Sequence, residues 1–211
     1  MNESSAAAQL TALMASRRSI RNFTPQPVAD DLVRAVLAAA CHAPSAHNKQ
    51  PWRFAVLRDP ADKDRLARAL GDRLRADRLK DGDDPRDVDI DVTRSHTRIT
   101  GAPVAIVVCL TLEDMDVYPD ERRRRAERRM AVQSVAMAGH GLLLAAHAHG
   151  LGACWLCAPL FAPEVISQAL DLPPDWEPQG LVLLGWSAAP GKARDRKPVE
   201  AVARFVWGQR S

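Results

Sequence analysis

The sequence predicts one α/β or α+β domain built on a covered central sheet. Three observations carry this. Apolar runs at Trp52–Leu57, Pro103–Leu110 and Gln179–Trp186 read as buried strands, the last two without polar alternation. Segments of helical period lie between them. The length, 211 residues, suits a single domain with a real core, so residues 1–211 are taken as one unit.

The elements follow in order. Leu10, Leu13 and Met14 form a short helical stripe before Arg17. A second helix is expected from Val28 to Cys41, because Leu32, Val33, Val36, Leu37 and Ala40 recur at helical spacing and Pro44 lies beyond its end. Asp30 and Asp31 suit the positive end of its dipole. Strand Trp52–Leu57 closes at Asp59-Pro60, and Lys63–Lys80 reads as a surface helix with Leu66, Leu70 and Leu74 inward. Asp81–Thr100 is charged, contains Gly82 and Pro85, and has weak periodicity; it is expected to be a mobile excursion or lid. After strand Pro103–Leu110, a long helix runs from Asp120 to about His149, where Gly150-Leu151-Gly152 stops it. Ala153–Leu156 is strand-like, Pro163–Leu170 a small helix, and Asp171–Asp175 a turn. Gln179–Trp186 is a further strand, Gly191–Pro198 a basic loop, and Val199–Trp207 the closing segment.

Composition narrows the function. A net charge of +3 is too small to point to nucleic acid, yet arginines cluster, which suits small phosphates and carboxylates. Met1–Leu10 has no basic region followed by an apolar core, and no apolar run is long enough to span a bilayer. The expectation is a cytoplasmic protein without a membrane partner. The four cysteines, Cys41, Cys109, Cys154 and Cys157, sit in apolar settings and are expected to be reduced.

Two stretches carry chemistry. Arg17-Arg18-Ser19-Ile20-Arg21 places three guanidinium groups and a hydroxyl within five residues, a set able to grip phosphate in bidentate fashion. The same residues also read as a solvated helix end. Ala43-Pro44-Ser45-Ala46-His47-Asn48-Lys49-Gln50-Pro51-Trp52 is a proline-fixed loop dense in amide and hydroxyl groups, which both donate and accept. An ordinary turn explains its prolines but not that density.

Together, Arg17–Pro25 and Ala43–Phe54 resemble the opening of the nitroreductase family. The resemblance extends over nearly the whole chain. It implies an α+β fold with a central, mostly antiparallel sheet flanked by helices, and an intertwined homodimer with FMN at the subunit interface. It assigns Arg17, Arg18, Ser19 and Arg21 to one half of the flavin site, and Ser45, Asn48 and Gln50 to the other half, facing the partner's flavin. Arg194 and Arg196, before Pro198, resemble the family's basic pair that contacts the FMN phosphate. NAD(P)H is a candidate electron donor, which the sequence does not fix.

Gly150-Leu-Gly-Ala-Cys-Trp-Leu-Cys lacks the third glycine of a dinucleotide fingerprint, and one Cys-x-x-Cys supplies only two metal ligands. No metal site is expected. The family resemblance instead lays this segment along the flavin, making Ala153, Cys154 and Trp155 candidate contacts. Downstream, Leu160–Gly180 resembles the flavin domain of proteins that complete the deazaflavin coenzyme F420. This implies reduction of the enol-phosphate double bond of dehydro-F420-0 to F420-0, without ligase activity. A broad NAD(P)H nitro or quinone reductase and a non-catalytic flavin- or F420-binding protein are the alternatives, with a flavin-destroying enzyme related to benzimidazole synthesis as a more distant one.

Asp120–Met130 packs six arginines into the start of a helix. One reading is a solvated face with local ion pairs. The functional reading makes Arg124 and Arg125 contacts for a small anionic substrate such as an F420 precursor. His140, His147 and His149 have no matching carboxylates and read as core or interface residues.

Overall fold

The computed structural model describes residues 3–206. Six helices and four strands follow in the order α1 (Glu3–Ser16), α2 (Asp30–Ala40), β1 (Trp52–Leu57), α3 (Pro60–Lys80), α4 (Pro85–Thr100), β2 (Val104–Leu110), α5 (Glu121–Ala148), β3 (Gly152–Leu156), α6 (Pro163–Leu170) and β4 (Glu177–Gly185). The sheet order is β1-β2-β4-β3, and every pairing is antiparallel. The fold is therefore α+β with an antiparallel sheet, as the resemblance implied.

Alternation along the two central strands builds two cores. Val104, Ile106, Val108 and Leu110 of β2, with Val182 and Leu184 of β4, pack against α2 and α5. Ala105, Val107 and Cys109, with Leu181 and Leu183, pack against α3, α4 and α6. Both faces are covered, which explains why these strands read as unbroken apolar runs. Each fully buried Val, Leu or Ile contributes roughly 1.5–3 kcal/mol over exposure.

The segment expected to be a lid is a helix. Asp84 caps α4 by accepting from the Arg86 N–H (2.8 Å), with Pro85 in the first turn; Asp59 and Pro60 start α3 in the same way. Val88 and Ile99 of α4 are buried, and Val92 packs on Gly71 of α3. Ion pairs Arg75–Asp89 and Arg78–Asp91, and the His96–Asp64 contact (2.8 Å), close the seam between the helices. The charges that masked the helical period are therefore its inter-helix contacts. The closing segment from Val199 extends past the described residues. Among the described residues, no helix is long and apolar enough to cross a membrane.

Candidate functional site: a basic cleft and a separate polar loop

The chain leaving α1 runs beside the edge strand β3. Ser19 bridges Ala153 in parallel, and the Ile20 N–H donates to the Ala153 carbonyl (3.0 Å). Two glycines make this close approach possible. A β-carbon on Gly152 would meet the Ile20 side chain at 2.8 Å, and one on Gly191 would meet Arg18 Cβ at 2.3 Å. The Arg17–Arg21 stretch is thus held between the sheet edge and the loop after β4.

This arrangement opens a cleft of about 580 Å³. Seven basic side chains line it: Arg17, Arg18, Arg21, Arg98, Lys192, Arg194 and Arg196. No acidic residue does. Among the described residues none of the seven enters an ion pair, whereas Arg58, Arg65, Arg68, Arg73, Arg75 and Arg78 all do. Arg18 bonds only to the backbone carbonyls of Ala15 and Arg17, and Arg196 to those of Arg194 and Asp195. Seven uncompensated cations facing one concave surface make an anion site, and guanidinium forks match phosphate oxygens.

Lys192 and Arg98 are the members that the sequence reading did not name; Lys192 belongs to the basic loop after β4, whereas Arg98 lay hidden. It lies in the last turn of α4, within the stretch read as a lid. The Asp84-Pro85 start and the buried Val88 and Ile99 were the signals that place it.

Beneath the cleft, Cys154 is 1% exposed. Burial pushes its thiol up, opposed by the Arg21 guanidinium, a hydrogen bond with Ser19, and then Arg98 and Arg17. It stays a protonated thiol and not a ready nucleophile. Ala153, the backbone partner of Ile20, lines a smaller neighbouring pocket that shares Arg17, Arg18 and Ile20 with the cleft. The Trp155 ring packs between Gly180 of β4 and Gly139 of α5, so it serves the core seam. Cys154 and Cys157 are free thiols, Cys157 exposed. No group of potential metal ligands occurs among the described residues.

The polar loop lies elsewhere. His47, Asn48 and Gln50 all have positive φ, at 50°, 54° and 49°. Such left-handed non-glycine positions cost of order 1–3 kcal/mol each and mark a preorganised loop. Ser45 Oγ accepts from the Gln50 N–H (3.0 Å) and closes it. Ser134, buried on α5, accepts from the Ala46 N–H (3.3 Å) and donates to the Met130 carbonyl (2.8 Å), tying the loop to the core. Lys49 pairs with Asp116 at 3.0 Å. Asn48 and Gln50 open onto a cleft of about 840 Å³ that also exposes Cys41, Arg53 and Asp114. It shares no lining residue with the basic cleft. The chain brings Arg17, Arg18, Ser19, Arg21, Arg194 and Arg196 together, but keeps Asn48 and Gln50 apart from them.

Arg124 and Arg125 line neither cleft. Both bind Glu121, at 3.0 and 2.6 Å, on the first turn of α5, and Arg124 also donates to the Pro119 carbonyl (2.8 Å). Hydrogen bonds from Arg125 and Arg124 hold the Glu121 carboxyl below its usual range.

With this geometry in hand, the chain can be set beside known proteins. Residues 14–186 match the model of the nitroreductase family. The chain belongs to the nitroreductase family. Membership makes it an FMN oxidoreductase. An NADH dehydrogenase of Thermus thermophilus is 31% identical, covering 90% of this chain and 92% of that one. A 5,6-dimethylbenzimidazole synthase of Rhodospirillum rubrum is 30% identical, covering 95% and 90%. The crystal structure of a nitroreductase-type protein of Desulfovibrio desulfuricans in complex with FMN superposes with a TM-score of 0.71 at 28% identity. That match covers 94% of this chain and 97% of the other.

Proposed function

We propose that the chain works as a homodimeric FMN-dependent reductase that takes electrons from NAD(P)H and passes them to a soluble, anionic small molecule. The observation that carries the reading is the cleft of seven cations without an acid, on a chain whose polar loop faces a different cleft. Arg17, Arg18, Ser19, Arg21, Arg194 and Arg196, joined by Arg98, would hold the flavin's phosphate and the polar edge of its ring. The bound flavin supplies the two-electron chemistry.

The chain's own residues bind, orient and complete the site. Ser45, Asn48 and Gln50 of a second copy would close the site with groups that both donate and accept. Ala153 and Cys154, with the Trp155 backbone, would form its floor. Exposed apolar surface supports the second copy: Leu10 and Met14 of α1 are 54% and 48% exposed. An open, mainly apolar groove between α2 and α5 carries Ala39, Ala43, Met137 and His140. The name of the Thermus relative, an NADH dehydrogenase, supports NADH as the electron donor.

The narrower reading is reduction of the enol-phosphate double bond of dehydro-F420-0 to F420-0. It rests on the resemblance of Leu160–Gly180 to F420-completing proteins, and it suits a substrate that carries phosphodiester and carboxylate groups. Arg124 and Arg125 are proposed as outer contacts for those groups. The test is anaerobic: reduce the FMN-loaded protein, add dehydro-F420-0, and follow flavin absorbance at about 450 nm. Prompt reoxidation with formation of F420-0 supports the narrower reading. Reoxidation by menadione alone moves the function to a broad nitro or quinone reductase. A flavin that no acceptor reoxidises points to a binding protein.

A further inference from the structure

We propose that Lys63 is a positioning residue for the basic cleft: it holds the end of α4 and thereby sets Arg98 in the cleft wall. This rests on the flavin reading of that cleft. Helix α4 ends at Thr100, where the Gly101 N–H closes the last turn on the Thr97 carbonyl (3.0 Å), and the carbonyls of Ala102 and Pro103 lie beyond it, at the junction with β2. Arg98 is the basic residue in the last turn of α4. Arg98 lines the cleft, and among the described residues its side chain makes no hydrogen bond to its own helix.

Lys63 ties that junction to the neighbouring helix. It lies in the first turn of α3, is 5% exposed, and its ammonium donates to the Ala102 carbonyl (2.6 Å) and more weakly to that of Pro103 (3.5 Å). These carbonyls sit where α4 gives way to β2, four and five residues beyond Arg98. Burial lowers the proton affinity of Lys63, and only Asp59 opposes this. An ammonium held there at such a disadvantage is poorly explained by packing, since an apolar side chain would fill the space more cheaply. Its position explains it: the junction about one turn beyond Arg98 is pinned from α3, which fixes the last turn of α4 and with it the Arg98 guanidinium in the cleft wall.

The test is FMN binding by fluorescence titration on the wild type, Lys63→Met, Arg98→Ala and the double variant. Each single variant is expected to weaken FMN about tenfold, the scale of one charged hydrogen bond. The double variant should be no weaker than the worse single one, since both act through one contact. Lys63→Arg should restore binding. Arg68→Ala, which breaks an exposed pair on the same helix, should leave it unchanged. A Lys63→Met protein that melts earlier yet binds FMN as the wild type does overturns the proposal, as do losses that multiply in the double variant. If Lys63→Met does not fold, Lys63→Leu, which also removes the donor, replaces it in the same cycle. If the wild type fails to bind FMN, the flavin reading falls by itself. Amide exchange over residues 98–103 then decides: faster exchange confined to that stretch in Lys63→Met supports the role, and unchanged exchange overturns it.

Discussion

A β-carbon on Gly180 would fall 2.0 Å from Cζ2 of Trp155, inside any permitted contact. The indole occupies the space that every other residue would claim, and Gly139 of α5 makes room for it from the other side, at 2.4 Å. Gly180→Ala is therefore expected to destabilise the fold by about 1–3 kcal/mol through overpacking. Urea denaturation checks this; an unchanged midpoint would show that the ring moves aside freely.

The basic cleft predicts a salt-sensitive cofactor. Arg17→Ala should weaken FMN about tenfold or more, and raising the ionic strength should weaken the wild type progressively. Arg94→Ala, whose guanidinium pairs with Asp91 on the outer layer, should bind FMN normally. Equal losses from both variants, measured by fluorescence titration, would contradict an anion site made of particular side chains.

Acid should loosen the α3–α4 seam early. Hydrogen bonds from Arg68, then His96, hold the Asp64 carboxyl below its usual 3.8. A carboxylate lowered on folding adds stability above its unfolded value and loses it as pH falls through the folded one. Amide exchange over α4 is therefore expected to rise below about pH 4, before exchange in β2 does. Replacing Asp64 with Asn should remove that early step.

The thiols should divide two and two. Burial pushes Cys109 up to about 12 and also raises Cys154, whereas Cys41 and Cys157 are exposed. An aromatic disulfide reagent at mild pH is expected to modify no more than two thiols per native chain, and all four after denaturation. Fast reaction at Cys154 would show the cleft floor to be open.

Arg124→Gln with Arg125→Gln separates the two readings of the α5 cluster. These are exposed ion pairs, so stability should change by less than about 1 kcal/mol. If they meet an anionic substrate, KM rises while FMN affinity stays constant. Steady-state kinetics that do not change would leave the cluster as a solvated helix end.

Much of this was legible in the residues. The buried strands, the long α5 helix and the Arg17–Arg21 and Ser45–Gln50 stretches are local patterns, and local chemistry marks them. Helix α4 was hidden because a helix held by ion pairs to its neighbour looks, residue by residue, like a charged loop; Asp84-Pro85 was its readable signal. Arg98 was hidden with it, since nothing local says that the end of an outer-layer helix meets the start of the chain at a sheet edge.

By itself, the sequence determined which segments are apolar on both faces, where the long helix after Asp120 begins and ends, and which stretches are rich in guanidinium and amide groups. These depend on neighbours a few residues apart. Only the tertiary structure decided that the strands pair antiparallel in the order β1-β2-β4-β3, that Arg17, Arg98 and Arg194 face one cleft, and that Asn48 and Gln50 face another. Those outcomes depend on which buried faces must cover one another, a property of the packed whole that no local spacing records.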